Sequence, residues 1–504
     1  MYVQSATSEE PTVAATSTGP DFPIVIIGSG FAGIGMAIQL KKAGIYSFTM
    51  FERAGEIGGT WRDNTYPGAA CDVPSHVYSF SFEPNANWER RYAESKEIQA
   101  YLLRCVEKYK LRPHLRLNTG IADASFDADT GLWTLTTSAG ERVTARVVVS
   151  GVGGLVDPAP PNIKGLDTFA GELFHTARWN HDYDLTGKRV AVIGTGASAV
   201  QAVPAIAPKV GKLSVFQRSP AWVVPKRDRA ISARAQRRFQ RFPWVMRILR
   251  TLLYGFSELM GPIIFLNAPR LSKIGERMSE RHLQASVSDP ALRAKLRPDF
   301  QFGCKRMLIS DDYWSTMERD NVELVTDAIT EIRPGSVVTA DGREHEVDAI
   351  VLATGFALGL ATAPFPVTGL DALTLDEAWR GGAVAYKGVS VAGFPNYFIM
   401  MGPNTGPGHT SVLVFTESQI NYIVQAVQQM ITGKIKHMSV KQDVQDRYNA
   451  GLQDRMKHMV WSTGCSSWYL NDDGSNHALF PGLASEYCAR TRTFKPAEYD
   501  IARV

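Results

Sequence analysis

Cysteine is scarce. There are five in 504 residues (Cys71, Cys105, Cys304, Cys465 and Cys488), scattered, odd in number and without a CxxC or a Cys/His cluster. That usage argues against a disulfide framework and against a zinc or other metal site, and it fits a reducing, cytoplasmic compartment. A dominant charge is lacking as well. With 54 basic and 50 acidic residues the net charge is +4, too balanced for a nucleic-acid partner. No window offers about 18 uncharged apolar residues, so a transmembrane span is not expected. The first 22 residues contain no Lys or Arg and no apolar core, which excludes a signal peptide and leaves a disordered lead. The rest has the composition of an ordinary soluble globular protein, too long for one small core and suited to two or three domains.

Glycine, by contrast, is used pointedly. Gly28-Ser29-Gly30-Phe31-Ala32-Gly33 follows the apolar run IVII, and Gly194-Thr195-Gly196-Ala197-Ser198-Ala199 follows RVAVI. A glycine loop between a strand and a helix bares backbone amides at the helix N-terminus, where they and the helix dipole hold a pyrophosphate. The two loops predict two dinucleotides in an α/β fold with two Rossmann-like domains. After the first loop, the strand FTMF ends in Glu52, placed to accept an adenosine ribose 2′-hydroxyl and to repel a 2′-phosphate. After the second, LSVF runs into Gln217-Arg218-Ser219, which suits a 2′-phosphate. The second site is therefore read as NADPH, and the first as FAD, the natural acceptor of its hydride.

Apolar runs and turn signals divide the chain into a first FAD-domain part (23–155), a first NADP-domain part (156–227), a helical insertion (228–302), a second NADP part (303–394) and a second FAD part (395–504). The linker DPAPPNIKGL (157–166) reads as a hinge. Within the insertion, Val245, Ile248, Leu249, Leu252, Leu253, Phe256, Leu259, Met260 and Ile263 recur at helical spacing, with Arg247, Arg250 and Glu258 turned elsewhere. Such a helix could lie on a membrane or line a substrate entrance. Packing of the apolar face against its own domain is the plainer reading, and membrane contact is not expected.

Between hinge and second loop lies Phe169-Ala170-Gly171-Glu172-Leu173-Phe174-His175-Thr176-Ala177-Arg178-Trp179, or FxGxxxHxxxW. By itself His175 is a loop histidine. Gly58-Gly59-Thr60-Trp61 opens the longer pattern GGxWxxxxYPGxxxD, which closes on Asp72. With these stretches the chain resembles the type I Baeyer-Villiger monooxygenases, flavin enzymes that insert oxygen next to a ketone. The family has Pro or Asp after the tryptophan, and this chain has Asn180. The resemblance covers almost all of the folded chain. It implies that Gly171, His175 and Trp179 form a motif with a conformational role, and that Thr60, Trp61, Asp72 and Tyr78 lie at the flavin. Arg306, in Gly303-Cys304-Lys305-Arg306-Met307, matches the family's catalytic arginine, and Lys305 joins Arg218 and Ser219 on the 2′-phosphate. Cys465-Ser466-Ser467-Trp468-Tyr469 resembles a loop that closes over nicotinamide, with Trp468 at the cofactor or simply in the core. The continuation Leu470-Asn471-Asp472-Asp473-Gly474 lacks the NIPG-like segment of some members.

The implied reaction is reduction of FAD by NADPH, addition of O2 to give a C4a-peroxyflavin, and conversion of a small-molecule ketone to an ester or lactone. Arg306 would be its electrostatic centre, oriented by Asp72. Two alternatives share both cofactors: a flavin monooxygenase acting on amines or sulfides, and an NADPH oxidase or redox-sensing module. A dithiol reductase is disfavoured, because Trp61 stands where a redox cysteine would be.

Overall fold

The computed structural model describes residues 19–357, 364–465, 469–471 and 473–504. Most of the expected disordered lead, and Trp468, lie outside them. Two sheets carry the architecture, each built around one of the glycine loops.

In the first sheet the strand order is Val367–Thr368, Ile121–Asp127, Leu132–Thr137, Arg142–Ser150, Phe22–Ile27, Phe48–Phe51 and Leu115–Arg116, with Tyr397–Ile399 paired to Arg142–Ser150. Phe22–Ile27 lies parallel to Phe48–Phe51 on one side and to Arg142–Ser150 on the other. A strand with parallel neighbours and both faces covered needs a continuous apolar run, and Ile24 to Ile27 are all buried. The long strand Arg142–Ser150 changes partners midway. Its first half pairs antiparallel with Leu132–Thr137, and its second half pairs parallel with Tyr397–Ile399. Helix Phe31–Lys42 covers one face and is covered in turn by Val412–Thr432. Gly35 permits that approach, since a Cβ there would stand 2.8 Å from both Ile420 and Phe80.

The second sheet is parallel throughout, in the order Val322–Val325, Lys212–Phe216, Arg189–Ile193, Ala349–Leu352, Glu172–His175. Together the sheets make a two-domain α/β protein of the doubly wound kind. Helices Ala233–Arg241, Pro243–Phe265, Pro269–Ser286 and Pro290–Leu296 occupy the insertion. The chain returns to the first sheet earlier than position 395. Val367–Thr368 already pairs with Ile121–Asp127, and Phe365, Leu375, Trp379 and Phe394 share a core with Val25 and Trp133. The short strand and loop-rich stretch from 364 to 394 carries no period long enough to reveal which sheet it joins.

The long insertion helix corrects a second expectation. None of its nine periodic apolar residues is buried, and Ile248, Leu252, Phe256 and Leu259 are exposed. The buried residues are Met246, Gly261 and Phe265. Polar groups share that inner face. Arg250 donates through Nη1 to the carbonyls of His76 at 2.7 Å and Ser79 at 3.0 Å. Glu258 meets His409 Nε2 at 2.8 Å and accepts from the backbone N–H groups of Ala484 at 3.1 Å and Ser485 at 3.0 Å. Backbone groups and His409 satisfy these partly buried charges, so the helix turns its polar anchors inward and its apolar stripe outward. Among the described residues it is also the one helix long and apolar enough, by length and composition alone, to cross a membrane, although it carries Arg247, Arg250 and Glu258.

Candidate active site between two dinucleotide loops

At the first loop Gly28 takes φ +95°, and a Cβ on Gly33 would stand 1.9 Å from the Gly28 carbonyl oxygen. That is the close strand–helix crossing for which these glycines are required. Among the described residues, helix Phe31–Lys42 has no side-chain cap and no acid in its first turn. Its amides therefore face outward with a positive dipole end, which suits a diphosphate. Gly59, at φ +54°, backs onto Gly30, and Gly58 N–H donates to Ser29 O at 3.0 Å, so the Gly58-Gly59-Thr60 turn forms the loop's opposite wall. Glu52 is buried and accepts from Ser29 N at 3.1 Å, Ser29 Oγ at 2.6 Å, Ala54 N at 3.0 Å and Arg62 Nη1 at 2.9 Å. Trp61 Nε1 donates to Tyr78 Oη at 3.1 Å, with the two rings edge to face at 5.5 Å.

The second loop repeats the geometry. Gly194 has φ +119°, its hypothetical Cβ lies 2.4 Å from the Ala353 carbonyl oxygen, and helix Ala197–Ile206 starts at Gly196 with neither side-chain cap nor acid among the described residues. Thr195 Oγ1 donates to Ser219 O at 2.9 Å, which ties the loop to the end of the next strand. Lys305 Nζ reaches Ser219 Oγ at 3.2 Å, beside exposed Arg218. Burial, and then the Arg218 charge, pull the Lys305 amine below its ordinary value. The two cations repel each other, and an anion bound between them would relieve that repulsion.

Arg306 turns the other way and meets Asp72, 234 positions earlier in the chain, at 2.6 Å. Their side chains are 44% and 28% exposed, so solvent or a ligand can reach the pair. The Asp72 carboxylate holds the Arg306 guanidinium above its usual value. Burial pushes Asp72 up, but the guanidinium outweighs it and the carboxyl lies below its ordinary value. Both groups stay charged throughout the neutral range.

The two units meet along a seam that the spacing of motifs did not reveal. Tyr66 Oη donates to Gln201 Oε1 at 2.8 Å, Gln201 Nε2 donates to Ala70 O at 2.9 Å, and a Cβ on Gly68 would meet the Gln201 carbonyl oxygen at 2.4 Å. The Tyr-Pro-Gly turn is thus the seat of the second unit's helix. Trp179 packs on the same seam with Tyr66, Ala69 and Ala202, and edge-on to Phe174 at 4.9 Å. His175 ends its strand, accepts from Ala177 N–H through Nδ1 at 3.1 Å, and lies 5.8 Å from the Phe356 ring. Its burial lowers its pKa, which keeps the ring neutral. Gly171 is needed because a Cβ would stand 2.4 Å from Asp348 O. The motif therefore lies on the connection between units, and Asn180 caps the turn after it by accepting from Asp182 N–H at 3.0 Å.

Cys304 and Cys465 form a disulfide across 161 positions. The cysteine spacing had argued against any such bond, because a pairing this distant has no sequence signature. It also weakens the inference of a reducing compartment. The bond holds Cys465 next to the Lys305-Arg306 segment, and Tyr469 is buried beside Trp461 in the same apolar cluster as Cys304. Titration of unreduced, unfolded protein is expected to count three thiols, Cys71, Cys105 and Cys488; a count of five removes the bond.

Two α/β units, each with parallel strands around an open glycine loop, and an ion pair between them define a two-dinucleotide oxidoreductase. Residues 25–244 match the family model described as pyridine nucleotide-disulphide oxidoreductase. A Baeyer-Villiger monooxygenase of Pseudomonas aeruginosa is 46% identical over 502 residues, covering 98% of this chain and 94% of the relative. One from Streptomyces coelicolor is 45% identical over 482 residues, covering 95% and 92%. The solved structure of OTEMO in complex with FAD and NADP superposes with a TM-score of 0.87 at 27% identity, covering 96% of this chain and all of that one. The chain belongs to the Baeyer-Villiger monooxygenase family.

Proposed function

We propose that this enzyme binds FAD at Gly28, Gly30, Gly33 and Glu52, with Thr60, Trp61 and Tyr78 beside the flavin. NADPH binds at Gly194, Thr195, Gly196, Ala197 and Ser198, with Arg218, Ser219 and Lys305 on its 2′-phosphate. Ketone, O2, NADPH and a proton give ester or lactone, NADP+ and water. The observation that carries this reading is the Arg306–Asp72 pair at 2.6 Å, charged and partly exposed. Bound flavin supplies the electron transfer to O2. The chain supplies the rest.

As the carbonyl carbon is attacked, negative charge grows on the ketone oxygen, and a fixed guanidinium stabilises it. Asp72 holds Arg306 in place and, as a nearby carboxylate, disfavours proton delivery to the attacking oxygen. Gly171, His175 and Trp179 act at one remove, on the seam that sets the distance between the cofactors. Oxygen-18-labelled dioxygen supplied with a broad panel of ketones is the test. One labelled atom per ester is expected; ester without label, or no ester from any ketone beside efficient sulfide or amine oxygenation, overturns the reading.

Asp72→Asn keeps the shape and removes the charge that positions Arg306. Hydrogen bonds between charged groups are worth about 1.5–3 kcal/mol. Ester formation is therefore expected to fall about 10- to 100-fold while NADPH still reduces the flavin, so that less ester forms per NADPH consumed. Unchanged coupling would remove Asp72 from this role.

A further inference from the structure

Eight large apolar side chains exposed in the insertion lie between Phe242 and Met278. On helix Pro243–Phe265, Trp244, Ile248, Leu252, Phe256 and Leu259 are between 50% and 70% exposed. Their three- and four-residue spacing makes one stripe, about 22 Å long at 1.5 Å per residue. The flanking helix Pro269–Ser286 adds exposed Ile274 and Met278.

The charge around the stripe is of one sign. From 231 to 286 there are ten basic and three acidic residues, +7 in a chain whose total is +4, so the remainder carries −3. Arg234, Arg237, Arg238, Arg241, Arg247, Arg270, Lys273, Arg277 and Arg281 are all exposed, whereas Glu258, Glu276 and Glu280 are not. Glu258 is engaged with His409 and Glu280 with Arg297. Among the described residues of this segment, no carboxylate faces out beside the stripe.

We propose that this face is a docking surface for an anionic lipid bilayer, on which helix Pro243–Phe265 lies in the plane of the headgroups. An apolar stripe within a cationic field is the pattern of an interfacial helix, and a tryptophan at its end suits the headgroup boundary. The helix does not span, because Arg250 and Glu258 hold its other face to the protein. A symmetric contact with a second copy would set nine like charges against nine. The inner side of the helix also reaches the active-site segment: Gly303 passes so close beneath it that a Cβ would stand 1.9 Å from Ile264 O, and Ile263 and Ile264 pack with Met307.

The full-length flavoenzyme is floated with vesicles of phosphatidylcholine, or of phosphatidylcholine and phosphatidylglycerol in equal parts. It is expected to float with the anionic vesicles only, and to be released by salt at about 0.5 M, where charge attraction is screened. The triple variant Leu252→Glu, Phe256→Glu, Leu259→Glu is expected to bind at least tenfold more weakly while turning over a water-soluble ketone at the parent rate. That turnover shows the variant to be folded. Failure of the parent to float, binding unchanged in the variant, or a parent dimer that the variant dissociates each overturns the proposal. None of these readouts depends on the oxygenation chemistry.

Discussion

Arg306→Ala is expected to cut ester formation about 10²- to 10³-fold, the cost of removing one preorganised donor from a developing oxyanion. NADPH should bleach the flavin at the parent rate, because Lys305, not Arg306, faces the phosphate loop. Stopped-flow reduction measured beside product analysis separates the two half-reactions, and parent-rate ester formation removes Arg306 from the chemistry. The variant also strands Asp72. Burial already pushes that carboxyl upward and the guanidinium is the largest influence holding it down, ahead of a backbone hydrogen bond and Lys226, so loss of Arg306 moves its folded pKa upward. Relative to the parent, Arg306→Ala should then be destabilised at neutral pH, by a deficit that shrinks as the pH falls. The double variant Arg306→Ala/Asp72→Asn should melt normally and remain inactive. Arg306→Lys keeps the charge but loses the planar fork that grips a carboxylate, so partial activity at most is expected.

The second large effect concerns coenzyme choice. With Arg218→Ala, KM for NADPH is expected to rise about 10- to 100-fold, and further with Lys305→Ala, since each removes a charge-assisted contact to phosphate. The contact is the same in the ground and transition states, so kcat should change little. Kinetics with NADH should be unaffected, because it has no 2′-phosphate. An equal loss with both coenzymes would mean that these side chains support the fold rather than read the phosphate.

Several features were legible because their cause is local. A glycine loop between an apolar strand and a helix has one steric explanation, so the parallel strand–helix start of each sheet and the order of the two sites could be read from a few residues around Gly28 and Gly194. The helical spacing of the insertion was equally plain. Its orientation was not, because periodicity names a stripe without saying which way it points. Arg250 and Glu258 gained partners from His76, Ser79, His409 and Ser485, all far away in the chain, and those partners turned the stripe outward.

The same division separates chemistry from geometry. From the sequence alone follow the two nucleotide loops and the residue types able to tell a ribose hydroxyl from a phosphate, together with the family motifs that name an oxygenase. Tertiary structure alone decided that Asp72 and Arg306 meet, that Tyr66 and Gln201 join the units, that Cys304 bonds Cys465, and that a basic apolar face looks outward. Each of these joins residues more than a hundred positions apart or turns on what a helix packs against. Local propensity cannot encode such distances, because the free energy that holds them comes from burial and charge pairing that exist only after the chain has closed.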